Sequence, residues 1–142
     1  MGGGAELACS TDFRILREGA RLQFVQVQRG LSPGWGGAER LHSIVGRSNA
    51  LRMLTGGNPV SADWGTRAGL FDWVMPADAT DRELSAILAP FLEPLPGAIR
   101  TNKTAILAAD GLSAKGSERD CFERSVKSKE RSSLGSSSGT DC

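Results

Sequence analysis

Apolar residues in the first half of the chain recur with two different periods, which predicts helices and short strands in turn. A helix is predicted from Gly4 to about Thr11, where several positions are apolar. Apolar and polar residues then alternate from Phe13 to Leu16 and from Leu22 to Val27, which predicts a pair of strands. The run LFDWV, Leu70 to Val74, is predicted to be a buried strand. This alternation of helix and strand favours the α/β class.

Glycine and capping residues predict the ends of the helices between these strands. A helix that begins after the loop RGLSPGWGG carries its apolar residues on one face and is expected to end at Gly46. A short helix over residues 49–54 is closed by two glycines. Ser61 is expected to cap a third helix, which runs through Ala68.

The second half of the chain is predicted to be helical. Residues 80–83, TDRE, form a capping-box pattern, and apolar residues then repeat at helical spacing until Pro94. Another helix is expected to begin near Pro96, and Ser117 is a candidate cap for a last one. Residues 132–142 have too little apolar surface to offset the entropy of ordering, so they are predicted to be a disordered tail.

Composition and charge exclude several classes of function. The 142 residues are 39% hydrophobic and carry a formal net charge of +1, so neither nucleic acid nor a membrane is expected as a partner. The beginning of the chain lacks the pattern of a secretory signal, which favours the cytoplasm. Three widely spaced cysteines suggest neither a disulfide framework nor a zinc site, and no metal is expected. His42 is the only histidine and is expected on a helix surface or in packing.

The run GGGAEL places a glycine-rich turn directly before a helix, where unpaired backbone N–H groups stabilise negative charge. It matches neither of the glycine motifs that bind nucleotide phosphates. Glu6 follows within one turn, and an oxyanion donor beside an acid/base group is a catalytic pair. The alternative is a mobile terminus in which Glu6 is only a favourable charge in the first helical turn.

A second glycine cluster, SPGWGGAERL, also leads into a helix. Taken alone it is a tight turn with Trp35 as a packing residue. The order of the motifs is more informative than either cluster alone. In chain order they are GGGAEL, CSTDFRI, the predicted strand pair, GLSPGWGGAERL, VGRSNALRMLTGG and SADWGTRAGLFDWV. Together they resemble the enoyl-CoA hydratase/isomerase, or crotonase, family. The resemblance covers Gly2 to about Pro76 and extends more weakly to about Val126.

The resemblance implies a fold, a substrate class and an assembly. Members of the family are repeated ββα turns wound into a superhelix, and they assemble as trimers or as hexamers made of two trimers. They bind acyl-CoA thioesters, so CoA is part of the substrate and no separate cofactor is implied. Residues 1–131 are then the C-terminal portion of a crotonase-like α/β domain that ends in helices, followed by the tail over residues 132–142.

The resemblance also implies the roles of individual residues. The middle glycine of the run, Gly3, would donate its backbone N–H to the thioester oxygen as this becomes an enolate, and Glu6 would be the acid/base group. The second carboxylate of the hydratases corresponds to Gln26. Further substrate contacts are implied at Gly2, Val25, Pro33 and Gly34.

Gln26 separates the possible reactions, because an amide cannot take up a proton as a carboxylate does. Hydration of a double bond uses two carboxylates, whereas decarboxylation needs an oxyanion hole and one proton donor. Glu6 would position or deliver that proton, and Gln26 would orient the leaving carboxylate. The stretch QFVQVQRGLSPGWGGAERL is most similar to the ethylmalonyl-CoA decarboxylase branch, whose cytosolic enzymes remove by-products of acetyl-CoA carboxylase in fatty acid metabolism. The prediction is a lyase that decarboxylates ethylmalonyl-CoA, with methylmalonyl-CoA as a second candidate substrate.

Two other hypotheses stay open. An enoyl-CoA hydratase or isomerase would have to work with a single carboxylate. The resemblance also implies that ββα turns before the glycine run are missing here, among them the second oxyanion donor, which is worth about 3 kcal/mol in a transition state. The third hypothesis is therefore a truncated, catalytically impaired chain that acts only through contacts of the family type.

Overall fold

The computed structural model describes residues 1–109. The helix predicted after Ser117 and the tail over residues 132–142 lie outside this range. The chain forms two compact units, residues 1–79 and a second unit that begins at Thr80.

The first unit contains three α-helices and a small sheet. Its elements, in chain order, are α1 (Gly3–Ala8), β1 (Ile15–Arg17), a 3₁₀ helix (Gln26–Arg29), α2 (Gly37–Gly56), α3 (Ala62–Arg67) and β2 (Trp73–Met75). β1 and β2 pair in parallel, with Ile15 opposite Trp73 and Arg17 opposite Met75. Parallel pairing across an intervening run of helices is the arrangement of the α/β class, as the sequence predicted.

The prediction of a strand from Leu22 to Val27 is wrong. Leu22 forms one antiparallel bridge with Val60, and by Val25 the backbone is helical, at φ −82° and ψ −4°. The alternation of apolar and polar residues mimicked a strand, but side chains rather than a backbone ladder fix this segment. The amides of Gln23 and Gln28 both donate to the carbonyl of Gly57, at 2.7 and 3.0 Å.

The predicted ends of α2 and α3 are confirmed, whereas α1 ends at Ala8, before the predicted Thr11. The two segments predicted on either side of Gly46 form α2, and Gly46 interrupts its helical backbone at φ 76° and ψ 168°. Gly57 follows in the left-handed region and its N–H donates to the carbonyl of Met53, which ends the helix. The hydroxyl of Ser61 accepts the Trp64 N–H and caps α3. The strand predicted at LFDWV lies slightly later, at Trp73–Met75, and it is only partly buried, since Val74 is exposed.

The core of the first unit lies between α1, α2 and the sheet. Phe24, Leu41 and Leu70 are its most completely buried large side chains. Full burial of side chains of this size contributes about 1.5–3 kcal/mol each. α1 adds Ala5 and Cys9 to this core, and burial raises the pKa of the Cys9 thiol. One face of α1 is thereby fixed against the core.

The second unit, within residues 80–109, consists of α4 (Asp81–Leu92) and α5 (Pro96–Ala109). The predicted capping box is confirmed: Thr80 accepts the Glu83 N–H, and the Glu83 carboxylate accepts the Thr80 N–H at 2.7 Å. Over residues 1–109, the helices are either too short or too polar to span a bilayer.

Candidate active site

Glu6 is a buried carboxylate, with only 3% of its surface exposed. Helix α1 carries it inward because Ala5, the residue before it, and Cys9, about one turn later, both pack into the core. A buried carboxylate needs hydrogen-bond donors, and three N–H groups from two other segments supply them. Glu6 therefore joins three parts of the first unit that are distant in sequence.

Two of these donors are backbone groups at the beginning of α2. Glu6 Oε2 accepts the N–H of Trp35 at 2.8 Å and that of Gly37 at 3.2 Å. Gly37 is the first residue of the part of α2 that is helical up to Val45, so the carboxylate also lies at the positive end of a helix dipole. A Cβ atom on Gly37 would lie 2.5 Å from Glu6 Cγ, so only glycine permits this approach.

The third donor is the side chain of Gln26. Its Nε2 donates to Glu6 Oε1 at 2.8 Å. Its Oε1 is buried and has no partner within residues 1–109. The two carboxylate oxygens therefore have different partners within residues 1–109. Backbone N–H groups donate to Oε2, whereas Oε1 accepts from the side-chain amide of Gln26, whose nitrogen and oxygen can exchange places by rotation.

The glycine run forms a turn that leads into α1 and is held at Gly2. Gly2 has a positive φ of 60°, and its N–H donates to the carbonyl of Gln23 at 2.9 Å. Val25 lies beside it, 3.5 Å from the position of a Cβ on Gly2. Gly3 begins α1, and its N–H has no acceptor in the described part of the chain. Gly3 and Glu6 are three residues apart and so share a face of α1.

Trp35 is a site residue that sequence reasoning missed, because it was taken as a packing residue. Its side chain is 70% exposed, and its ring lies against Gly3: a Cβ on Gly3 would come within 2.7 Å of Cζ3. The backbone of Trp35 is held on both sides, by Glu6 on its N–H and by Arg40 Nη1, which donates to its carbonyl at 2.7 Å. The glycines around Trp35 were the available signal, since they allow the loop to approach α1.

The contact between Gly3 and Trp35 gives a stability prediction. Alanine in a helix is more stable than glycine by about 0.5–1 kcal/mol, so Gly3→Ala should stabilise α1 once the indole is removed by Trp35→Ala. In the wild-type background the new methyl group displaces the indole, and the gain should disappear. We expect a coupling of about 1 kcal/mol in a double-mutant cycle measured by urea unfolding.

Gly4→Ala is the matched control for this cycle, because a Cβ on Gly4 has no atom within 4 Å. It should stabilise the protein equally with and without Trp35. Coupling of the same size at Gly4 would refute a specific contact between Gly3 and the indole.

Two other predicted site residues, Pro33 and Gly34, lie on the loop before Trp35. Within residues 1–109, no hydrogen bond links either of them to Glu6.

His42 is exposed on α2, as expected for a surface residue. No three His, Cys, Asp or Glu side chains in the described range are grouped to hold a metal ion. Cavities of about 220 and 320 Å³ are lined by neither Glu6 nor Gln26.

A parallel α/β framework that buries one carboxylate beside an amide and a glycine turn defines a candidate acid/base site. The family model for enoyl-CoA hydratase/isomerase matches residues 1–134, and the chain belongs to that family.

Relatives within the family carry two kinds of name. Ethylmalonyl-CoA decarboxylase of Danio rerio is 38% identical over 117 residues, which cover 80% of this chain and 39% of the relative. Enoyl-CoA isomerase/hydratase fer4 of Mycosarcoma maydis is 32% identical over 135 residues, which cover 92% of this chain and 49% of the relative. The chain thus spans less than half the length of these relatives.

Solved structures confirm the predicted partial crotonase-like fold. An enoyl-CoA hydratase from Bacillus anthracis matches with a TM-score of 0.73 at 26% identity, over 94% of this chain and 49% of that one. A hydratase homologue from Thermobifida fusca, solved in complex with acetoacetyl-CoA, matches with a TM-score of 0.77 at 26% identity, over 92% and 51%.

Proposed function

We propose that the chain belongs to an acyl-CoA lyase that decarboxylates ethylmalonyl-CoA through an enolate. The observation that carries the proposal is the hydrogen bond between Gln26 Nε2 and Glu6 Oε1, because it puts one carboxylate and one amide at the position where hydration would need two carboxylates. The decarboxylase names of relatives such as the Danio rerio protein support the same reaction.

Gly3 is the proposed oxyanion donor. Its N–H would bind the thioester oxygen of the substrate, and this oxygen gains negative charge when the bond between the α-carbon and the carboxylate breaks. Carbon dioxide leaves without the electron pair, which is delocalised onto the thioester oxygen. One donor of this kind is worth about 3 kcal/mol in the transition state.

Glu6 is the proposed source of the proton that the α-carbon then takes up. Its Oε2 already accepts two backbone N–H groups, so Oε1 is the oxygen that would carry the proton. The amide of Gln26 suits both protonation states, since it donates Nε2–H to the ionised form and, after turning over, accepts from the protonated form. Transfer of the proton yields butyryl-CoA and returns Glu6 to its ionised form.

The test is to incubate the purified chain with ethylmalonyl-CoA and to measure butyryl-CoA by mass spectrometry. Glu6→Gln should lower the rate by about 10²–10⁴-fold, because an amide cannot deliver the proton. Glu39→Gln is the matched control, since Glu39 is exposed on the first turn of α2 and its variant should keep the activity.

Other outcomes would overturn the proposal. Formation of 3-hydroxybutyryl-CoA from crotonyl-CoA, without decarboxylation, would assign a hydratase instead. Binding of butyryl-CoA without turnover of either substrate would reduce the chain to an acyl-CoA binding module. A Glu6→Gln variant as active as the wild type would remove Glu6 from the mechanism.

A further inference from the structure

The indole of Trp35 combines a fixed backbone with an exposed ring. The backbone N–H donates to Glu6 Oε2 at 2.8 Å, and the carbonyl accepts from Arg40 Nη1 at 2.7 Å. The side chain is nevertheless 70% exposed. An exposed aromatic ring on a fixed backbone offers apolar contact area at little cost in conformational entropy.

The exposed ring flanks the proposed oxyanion donor. The atoms nearest to a Cβ on Gly3 are Cζ3 at 2.7 Å, Cη2 at 3.0 Å and Cε3 at 3.4 Å, all in the six-membered ring of the indole. That ring is the wholly hydrocarbon part of the side chain. This hydrocarbon ring therefore lies beside Gly3. The charged carboxylate of Glu6 also lies near Gly3, on the same face of α1.

A thioester whose oxygen is bound by the Gly3 N–H would have its α-carbon in the neighbourhood of this ring. In a thioester the α-carbon is bonded to the carbonyl carbon, so its alkyl substituent lies close to the oxygen that Gly3 would bind. The carboxylate of the substrate would be poorly solvated against a hydrocarbon ring, whereas an alkyl group gains by leaving water.

We propose that Trp35 determines specificity by packing its six-membered ring against the α-alkyl group of the acyl-CoA. The inference rests on the proposed function, because it assumes a thioester bound at Gly3. Each methylene that the ring removes from water should strengthen binding about fourfold. The ring therefore favours ethyl over methyl and methyl over hydrogen at the α-carbon.

Binding of unreactive thioesters to the full chain tests the inference. Acetyl-, propionyl- and butyryl-CoA lengthen the group at the α-carbon by one methylene at a time, and free CoA gives the baseline in calorimetry. For the wild type, Kd should fall about fourfold per methylene. Trp35→Ala should abolish this dependence on length, and Trp35→Phe, which keeps an aromatic ring, should retain part of it.

Trp64→Phe is the matched control. Trp64 lies on α3, where its ring faces Arg52 at 5.3 Å, and its variant should keep the full dependence on length. Unchanged circular dichroism and melting temperature establish that each variant is folded. If Trp35→Ala is not folded, Trp35→Phe is compared with the wild type instead.

The remaining outcomes would contradict either the role of Trp35 or the proposed function. Equal dependence on length in Trp35→Ala would overturn the role of Trp35 and leave acyl-CoA binding intact. The role of Trp35 would also be overturned if the wild type bound the thioesters no more tightly than free CoA. Absence of any binding of CoA or its thioesters by the folded wild type would overturn the proposed function for this chain, and this inference with it.

Discussion

Replacement of Glu6 by leucine is expected to lower the free energy of unfolding by about 3–5 kcal/mol. Leucine fills much of the same space but accepts no hydrogen bond. The N–H groups of Trp35 and Gly37 and the amide of Gln26 would then lose the acceptor that they share. Each buried donor left unpaired costs about 1–3 kcal/mol, and the partial exposure of Trp35 and Gln26 moderates the sum.

Glu6→Gln should cost far less, because the two oxygens of Glu6 have different partners. The single oxygen of the new amide can replace Oε2 and accept both backbone N–H groups. Its nitrogen then faces Gln26, whose own amide turns over and presents Oε1 as the acceptor. The buried Gln26 Oε1, which lacks a partner within residues 1–109, would gain one.

Urea unfolding of both variants with unchanged m-values measures this difference. Glu39→Leu, on the exposed first turn of α2, is the control and should change stability by no more than about 0.5 kcal/mol. Equal losses for Glu6→Leu and Glu6→Gln would show that the charge of Glu6, rather than its acceptor geometry, stabilises the fold. A stable Glu6→Gln variant without decarboxylase activity would separate the two roles of the residue.

The features that the sequence predicted well depend on neighbouring residues. Thr80 and Glu83 form their capping box within one turn, and Gly46 and Gly57 act through their own backbone conformation. Each of these signals is contained in a few consecutive residues. Tertiary context therefore had little opportunity to override it.

The features that were missed depend on residues far apart in the chain. Val25 was predicted to lie in a strand, but a strand also needs a partner, and Gly57 instead binds the side chains of Gln23 and Gln28. Glu6 was predicted to lie in the first helix, as it does, but its contact with Gln26 bridges 20 residues of sequence. Its contacts with the α2 N-terminus were not predicted, because the loop before α2 approaches α1 only in the folded chain.

Gln26→Glu is expected to make stability fall as pH rises, by about 3 kcal/mol between about pH 5 and pH 7 relative to the wild type. The new carboxylate would lie within hydrogen-bond distance of Glu6, since the two side chains are joined at 2.8 Å in the wild type. Ionising both costs far more than ionising one, so the folded pair keeps a shared proton that the unfolded chain has already released. Because the folded state then binds more protons than the unfolded state, stability decreases with increasing pH.

Urea unfolding across this pH range measures the slope, and Ser32→Glu is the matched control. Ser32 lies in the loop after the same 3₁₀ helix and is exposed, so an added carboxylate there stays solvated and should leave the slope near that of the wild type. Equal slopes in the two variants would show that Gln26 does not adjoin Glu6 in solution. A steep slope confined to Gln26→Glu, together with new hydration of crotonyl-CoA, would show that the side chain at position 26 decides which reaction the site supports.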